Sequence, residues 1–307
     1  MNSNTIDLKL NDIGGADTLL VRRWPGAGDP VLYIHGATFP SALSIGYRFE
    51  GRSWADHLHA RGFDVWGFDF AGFGGSPHYR QMREPAAGNS PLGRTPDAIP
   101  QIAAVVEHIA RETGRERVHL VAHSWGTMAA GGYAAAYPEH VARLVMFGPI
   151  VQRSMAGLPD ADGIGAWRCL SVPEQLVRFV EDVPPGHPPV LIEPDLAQWG
   201  PAWLATDPEA ATRAPHAVKI PNGPLADNIA ALSGRLAYNP GRVLVPTLIA
   251  RGAWDNLCQD ADAAWLMGRL GATEKADVVI PAATHLMHLE RGRDGLFAAT
   301  AGWLAAG

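Results

Sequence analysis

Short apolar runs alternate with amphipathic segments through the first half of the chain. An apolar run of four to eight residues between turn signals is typical of a strand buried on both faces. This pattern predicts strands over residues 30–37, 63–70, 117–122 and 141–147. The segments between them have helical length, which predicts helices over 53–61, 97–113 and 125–137. An antiparallel hairpin over residues 5–23 precedes them, and the whole alternation predicts a mostly parallel, twisted sheet with helices on both faces.

The alternation stops between residues 149 and 241, and 13 of the 25 prolines lie between residues 150 and 240. Proline fixes φ and interrupts helices, so we expect short helices there, at 173–181 and 225–236, and no buried strand. Strands and helices resume at 243–252, 260–270, 275–281 and 294–306. We therefore predict a sheet domain formed by residues 1–148 and 242–307. A mainly helical, Pro-rich cap at 149–241 is inserted over its carboxyl edge, where open α/β sheets bind ligands.

Composition excludes several classes of protein. The formal net charge is −6 with no block of like charge, which argues against a nucleic-acid or anionic-membrane partner. Two cysteines, Cys169 and Cys258, form neither a disulfide framework nor a metal-ligand spacing. No apolar run reaches the ~18 residues of a membrane span, and the first ten residues have no signal-peptide core. We expect a cytoplasmic protein, and the sequence leaves its oligomeric state open.

One serine lies between a predicted strand and a helix of small residues. Ala122-His123-Ser124-Trp125-Gly126 fits the nucleophile-elbow pattern G-x-S-x-G with alanine in the first position. Small residues two positions before and after the serine leave room for a sharp turn against neighbouring backbone. The segment Ala42-Leu43-Ser44-Ile45-Gly46 satisfies the same loose pattern, but no apolar strand runs into it. The strand before Ser124 and the small-residue helix after it therefore favour Ser124 as a nucleophile over a serine that only caps a helix.

A serine nucleophile needs a base, and the base needs an acid that orients it. Asp255 follows the predicted strand 243–252, and His285 follows the strand 275–281, in the order Ser, acid, His that this architecture uses. His288 is the competing base. Asp260 and Asp262 are the competing acids, although their place at a helix start favours a capping role.

Four motifs in order resemble the α/β-hydrolase family: YIHGA at 33–37, FDFAGFGGS at 68–76, the Ser124 elbow, and THLMHLE at 284–290. The resemblance covers residues 31–290. It implies an α/β-hydrolase fold and an oxyanion hole built from the backbone N–H groups of Ala37 and Trp125, with Thr38 as the alternative donor. It also implies a structural role for His35, while His123 should point away from the serine.

The predicted cap is rich in tryptophan, which suggests an aromatic cleft with few charges. We expect a neutral, moderately apolar substrate in that cleft, and neither a cofactor nor a metal. The candidate substrate-binding residues are Thr38, Trp167, Trp199, Trp203, Met128 and Met287, and ordinary core packing is the alternative for the aromatic and methionine side chains.

These residues favour a serine hydrolase that cleaves a small carboxylic ester or lactone through an acyl-enzyme. Its partners are then the small-molecule substrate and water. The elbow helix also resembles that of proline iminopeptidases, so amide or peptide hydrolysis is an alternative. The His-Gly-Ala-Thr-Phe turn at 35–39 departs from their His-Gly-Gly-Pro-Gly. C–C bond hydrolysis and acyl transfer would use the same three residues, and a non-catalytic receptor of hydrolase fold remains a further hypothesis.

Overall fold

A computed structural model describes residues 3–13, 15–192 and 195–306 of the chain, except for the side chain of Asn11. Ten strands are present in this part. They are β1 (Asn4–Ile13), β2 (Ala16–Trp24), β3 (Pro30–Ile34), β4 (Asp64–Phe68), β5 (Val118–His123), β6 (Val141–Phe147), β7 (Trp167–Ser171), β8 (Ala217–Pro221), β9 (Thr247–Gly252) and β10 (Lys275–Ile280).

Eight α-helices accompany these strands in the described residues. They are α1 (Trp54–Ala60), α2 (Thr95–Thr113), α3 (Gly126–Ala136), α4 (Val172–Val180), α5 (Asp195–Leu204), α6 (Gly223–Leu232), α7 (Asp260–Arg269) and α8 (Arg293–Leu304). None of the described helices combines the length and the apolar character needed to cross a bilayer.

Eight strands form one sheet in the order β1-β2-β4-β3-β5-β6-β9-β10. The six strands from β4 to β10 in this order pair in parallel, and the β1–β2 hairpin adds two antiparallel strands at one edge. The carboxyl ends of β3, β5, β6, β9 and β10 therefore meet at one edge of the sheet. The predicted mostly parallel sheet is confirmed.

Alternate residues of the central strands enter two different cores. In β3, Leu32 and Ile34 join the core that includes α2, α3 and α7, whereas Val31 and Tyr33 join the core that includes α1 and α8. Successive strand side chains point to opposite faces, so a strand covered on both sides must be apolar at every position. This is why β3, β4 and β5 are continuous apolar runs in the sequence.

The segment between β6 and β9, here called the β6–β9 connection (residues 148–246), differs from its prediction in one respect. It contains α4, α5 and α6, but β7 and β8 also pair there as a separate two-stranded antiparallel sheet. The expectation of no buried strand in this region was wrong, because β8 is buried at four of its five residues. Each of these strands has only five residues, and neither face of β7 is completely covered. The sequence of this segment therefore has no long apolar run from which a strand could be predicted.

Candidate active site

Ser124 lies in the sharp turn between β5 and α3. Its φ is +55°, a left-handed conformation that is rare for a residue with a side chain. The Ser124 N–H donates to the Phe147 carbonyl of β6 at 3.1 Å, which fixes the turn to the sheet. A Cβ on Gly126 would lie 2.4 Å from the His35 carbonyl oxygen, so only glycine fits two positions after the serine. Close backbone packing therefore holds this strained turn.

The Ser124 hydroxyl contacts a histidine from a distant loop. Ser124 Oγ lies 2.8 Å from His285 Nε2, and His285 Nδ1 lies 3.0 Å from each carboxylate oxygen of Asp255. Because an ionised carboxylate only accepts, Nδ1 carries the proton and Nε2 accepts from the serine hydroxyl. Asp255 and His285 follow β9 and β10, and Ser124 follows β5. The structure thus brings together the three residues that the sequence analysis named.

The Asp255 carboxylate is held in its charged form. Burial alone would raise the pKa of Asp255, but the adjacent His285 and the N–H donors of Leu257 and Cys258, at 2.9 and 3.0 Å, together lower it. Gly148, which follows β6 with a φ of +53°, makes room for the pair: a Cβ there would lie 2.9 Å from the His285 ring.

The turn after β3 lies beside the elbow. Ile34 pairs with Ala122, and the cavity at the site is lined by both Ala37 and Ser124. Among the described residues, neither the Ala37 N–H nor the Trp125 N–H donates to a protein acceptor. Two free backbone donors beside a serine hydroxyl are what an oxyanion hole requires. The Thr38 N–H likewise donates to no acceptor in the described part of the chain, so the choice of Ala37 over Thr38 stays a prediction.

His35 and His123 make structural hydrogen bonds. His35 Nδ1 donates to the Gly36 carbonyl at 2.8 Å, and its Nε2 accepts from the Phe70 N–H at 3.0 Å. His123 Nε2 donates to the His285 carbonyl at 3.1 Å and so supports the loop that carries the candidate base. Burial lowers the pKa of both rings, which keeps them neutral.

The competing serine and base lie apart from this cluster. His288 Nε2 contacts Ser44 Oγ at 2.9 Å, and both side chains are buried. Ser44 has a φ of −119° and lies on a short 3₁₀ turn, so the second copy of the loose pattern does not form an elbow. His288 Nδ1 has no hydrogen-bond partner among the described residues, so no acid orients this ring.

The competing acids bind arginines. Asp260 contacts Arg251 and is almost fully exposed, whereas Asp262 contacts Arg153 and caps α7 through the Gln259 N–H. Both lie at the helix start, as expected from their position in the sequence.

A cavity of about 390 Å³ opens beside Ser124, at the small end of the usual range for small-molecule sites. Its apolar lining is mainly aliphatic, from Leu170 of β7, from α6 and from loops. Two arginines, Arg168 and Arg178, and the carboxylate of Glu174 also line it. The expectation of an aromatic cleft with few charges was wrong, because the aromatic side chains of the connection pack into the core instead.

Of the candidate substrate-binding residues, only Thr38 lines this cavity. Trp199 and Trp203 are fully buried and stack on each other, and Trp199 Nε1 donates to the Leu43 carbonyl. Trp167 lies on the β7 face opposite Arg168 and donates to the Glu84 carbonyl. Met128 and Met287 are fully buried and belong to the two cores. These five assignments are corrected to packing roles.

Sequence reasoning missed two residues that support the site. Asp227 of α6 is buried and accepts from Trp125 Nε1 at 3.0 Å, from the Thr95 N–H at 2.6 Å and from Arg94 Nε at 2.8 Å. Arg168, discussed below, faces the cavity from β7. Both come from the β6–β9 connection, where the sequence offered no register from which to assign a facing side.

The parallel sheet, the serine turn and the His–Asp pair define a protein of α/β-hydrolase type. The chain belongs to the alpha/beta hydrolase fold family, whose sequence model matches residues 29–292. A sequence search of curated proteins finds no significant match.

Several solved structures share the fold at low identity. A thioesterase domain from the curacin biosynthetic pathway is 16% identical with a TM-score of 0.66, covering 98% of this chain and 99% of its own. A serine hydrolase involved in carbazole degradation is 18% identical with a TM-score of 0.67, at 99% and 100% coverage. The epoxide hydrolase VrEH1 from Vigna radiata is 15% identical with a TM-score of 0.64, at 100% and 99% coverage. These likenesses concern the fold alone, because the three identities lie between 15% and 18%.

Proposed function

We propose that this protein is a serine hydrolase that cleaves a small carboxylic ester or lactone through an acyl-enzyme. The observation that carries the proposal is the continuous hydrogen-bonded chain from Ser124 Oγ through His285 to Asp255. The free N–H groups of Ala37 and Trp125 support it, because acyl transfer develops negative charge on the carbonyl oxygen.

In this mechanism Ser124 Oγ attacks the carbonyl carbon while its proton passes to His285 Nε2. The tetrahedral oxyanion accepts hydrogen bonds from the two backbone donors. The C–O bond to the alcohol then breaks, and His285 returns the proton to the leaving oxygen. Water, deprotonated by the same ring, attacks the acyl-enzyme and releases the acid and free Ser124. Asp255 holds the ring in the required tautomer and stabilises its protonated form.

We also propose that residues 149–241 act as a cap and that residues 1–148 and 242–307 form the hydrolase core. The lining of the cavity supports this division, because β7, α4 and α6 contribute to it together with the turns after β3 and β5. Substrate would then reach Ser124 between the two parts. The expected neutral substrate is revised in the next subsection.

Three alternative reactions would use the same side chains. Amide or peptide hydrolysis, C–C bond hydrolysis and acyl transfer need the same nucleophile and base, and only the substrate separates them. A non-catalytic receptor is disfavoured by the aligned Ser124, His285 and Asp255. Epoxide hydrolysis on this fold uses a carboxylate nucleophile, and serine occupies that position here.

Labelling with a fluorophosphonate tests the nucleophile. We expect one adduct, on Ser124, and none on the buried Ser44, with peptide mapping as the readout. The Ser124→Ala variant should lose the adduct and hydrolyse p-nitrophenyl butyrate at least 1,000-fold more slowly, on the order expected for loss of a triad member. A folded protein that forms no adduct and hydrolyses no ester would favour the receptor. Faster cleavage of proline p-nitroanilide than of the ester would favour a peptidase.

A further inference from the structure

Arg168 places a cation on the wall of the candidate active-site cavity. It lies in the middle of β7, opposite Ile220 of β8, and side chains two apart in a strand share a face. Arg168 and Leu170 both line the cavity, and Trp167 lies on the other face. The register of the β7–β8 pair therefore directs this guanidinium toward the space beside Ser124.

The Arg168 guanidinium is held in place by an amide and not by a carboxylate. Its Nη1 donates to Asn222 Oδ1 at 2.7 Å, and the Asn222 Nδ2 donates to the carbonyls of Ile164 and Gly165 at 3.0 and 3.1 Å. Asn222 follows β8 directly and is buried. Because both carbonyls fix the amide, Asn222 orients one nitrogen of the guanidinium, and the other two have no hydrogen-bond partner in the part of the chain that the structure describes.

Among the described residues, no carboxylate lies within ion-pair distance of Arg168. Other partly buried arginines of this chain pair with aspartates: Arg22 with Asp69, Arg153 with Asp262 and Arg213 with Asp207. Burial lowers the pKa of Arg168 to about 10, so the group is still charged at neutral pH. A charged, partly desolvated group without a counter-ion is costly, and an anionic ligand would remove that cost.

The other charged groups on the cavity wall have partners of their own. Arg178 pairs with Glu181, and the Glu174 carboxylate accepts from the Ser171 N–H and hydroxyl at the start of α4. Glu174 is exposed, and its pKa is lowered by these Ser171 hydrogen bonds, so it adds a negative charge at the rim. Arg168 is therefore the group on this wall whose charge the protein leaves unmatched.

We propose that Arg168 binds a carboxylate of the substrate, so that the ester cleaved at Ser124 belongs to an anionic molecule. A guanidinium presents two parallel N–H donors that match a carboxylate, which fixes orientation as well as affinity. This inference rests on the proposed ester hydrolysis, because it concerns the specificity of the same cavity. It replaces the neutral substrate expected from the sequence.

The test compares charged esters with neutral ones of the same shape. The carboxylate is on the acyl side in the monoethyl esters of succinate, glutarate and adipate, and on the alcohol side in the butyryl esters of glycolate and 3-hydroxypropanoate. In each neutral counterpart an isopropyl group replaces the carboxylate. A pH-stat measures kcat/KM, and the quantity of interest is the ratio of the charged to the neutral ester.

We expect this ratio to exceed about 10 in at least one pair, and Arg168→Gln to lower it by about 10-fold or more, as for loss of a charge-assisted hydrogen bond. Arg168→Lys keeps the charge without the planar fork and should lose part of the preference, and it serves if the glutamine variant does not fold. Arg117→Gln is the matched control. Arg117 lies just before β5, far from the cavity wall, and donates to the Val141 carbonyl. Replacing Arg117 therefore removes the same charge and should leave the ratio unchanged.

The outcomes separate the two proposals. If Ser124 cleaves neutral and charged esters equally well, the anionic substrate is wrong and the hydrolase stands. If charged esters are preferred but Arg168→Gln keeps the preference, the assignment of the substrate carboxylate to Arg168 is wrong. If no ester is cleaved and no fluorophosphonate adduct forms, the hydrolase is wrong. In that case calorimetry measures whether glutarate binds at Arg168. Glutarate binding at least 10-fold weaker to Arg168→Gln than to the wild type would support an anion site at Arg168, and equal or absent binding would overturn it.

Discussion

The free energy of unfolding should fall as the pH rises from 5 to 8 because of Glu290, and replacing Glu290 with glutamine should abolish this fall. Glu290 is fully buried behind the candidate base and accepts from the Thr284 N–H at 3.1 Å and from the Thr284 hydroxyl. Burial raises the pKa of Glu290 from 4.5 to about 7, and the two Thr284 hydrogen bonds only partly offset it. The folded protein therefore keeps this proton over a pH range in which the unfolded chain releases it.

The sign follows from proton linkage. Stability from the protonated Glu290 is fully present below pH 4.5 and is lost as the pH rises through about 7. With ~1.4 kcal/mol per pH unit, the free energy of unfolding should fall by about 2–3 kcal/mol between pH 5 and pH 8 on account of this residue. Glutamine resembles the protonated acid and does not titrate, so the variant should lose this contribution.

Urea denaturation of both proteins at pH 5 and pH 8 measures the effect. The difference in unfolding free energy, Glu290→Gln minus wild type, should rise by about 2–3 kcal/mol from pH 5 to pH 8. The same change at the exposed Glu116 is the control and should leave that difference constant. A Glu290→Gln difference equal at both pH values would mean that Glu290 is already ionised in the fold, and the reasoning from burial would fail.

Two further substitutions test how the surroundings hold the candidate active site. Gly148→Ala adds a methyl group against the His285 ring, at a residue whose φ is positive. We expect the free energy of unfolding to fall by about 1–2 kcal/mol and kcat to fall at least 10-fold. The control Gly302→Ala, in α8 with open space around it, should be neutral or slightly stabilising in the same urea and ester assays. Asp227→Ala removes the acceptor of the Trp125 indole Nε1 and should lower the free energy of unfolding by about 3 kcal/mol. It should also lower kcat, because the backbone N–H of the same Trp125 is a candidate oxyanion donor. Unchanged kcat in folded Gly148→Ala or Asp227→Ala protein would count against these supporting roles.

The sequence predicted the sheet and the three facing side chains well, and the reason is physical. A strand buried on both faces must be apolar throughout, so β3, β5, β6 and β9 are visible as runs without further information. In a parallel sheet those runs all end at the same edge. Ser124 and Asp255, just after β5 and β9, are therefore brought close together wherever the intervening helices lie, and His285 joins them because the edge strand β10 pairs in parallel with β9.

The β6–β9 connection offers no such rule, and the incorrect predictions are concentrated there. Its elements are short, and β7 exposes parts of both faces, so one residue of register decides whether Trp167 or Arg168 faces the cavity. That register is set by the pairing with β8, about fifty residues away in the chain, and it cannot be predicted from the composition of β7. The tryptophans of this segment therefore predict an aromatic lining, but their side chains pack into the core or against it.

The same register links specificity to chemistry in this fold. The sheet edge supplies Ser124 and Asp255 from the buried strands β5 and β9 and His285 from the loop after β10, whereas the connection supplies Arg168 from a five-residue strand. If Arg168 binds the substrate carboxylate, exchanging Arg168 with its neighbour Trp167 would remove the guanidinium from the cavity without altering composition or the residues after β5, β9 and β10. Such a double variant should keep its fluorophosphonate adduct on Ser124 and lose its preference for charged esters. Loss of both together would mean that β7 holds the nucleophile in place rather than selecting the substrate.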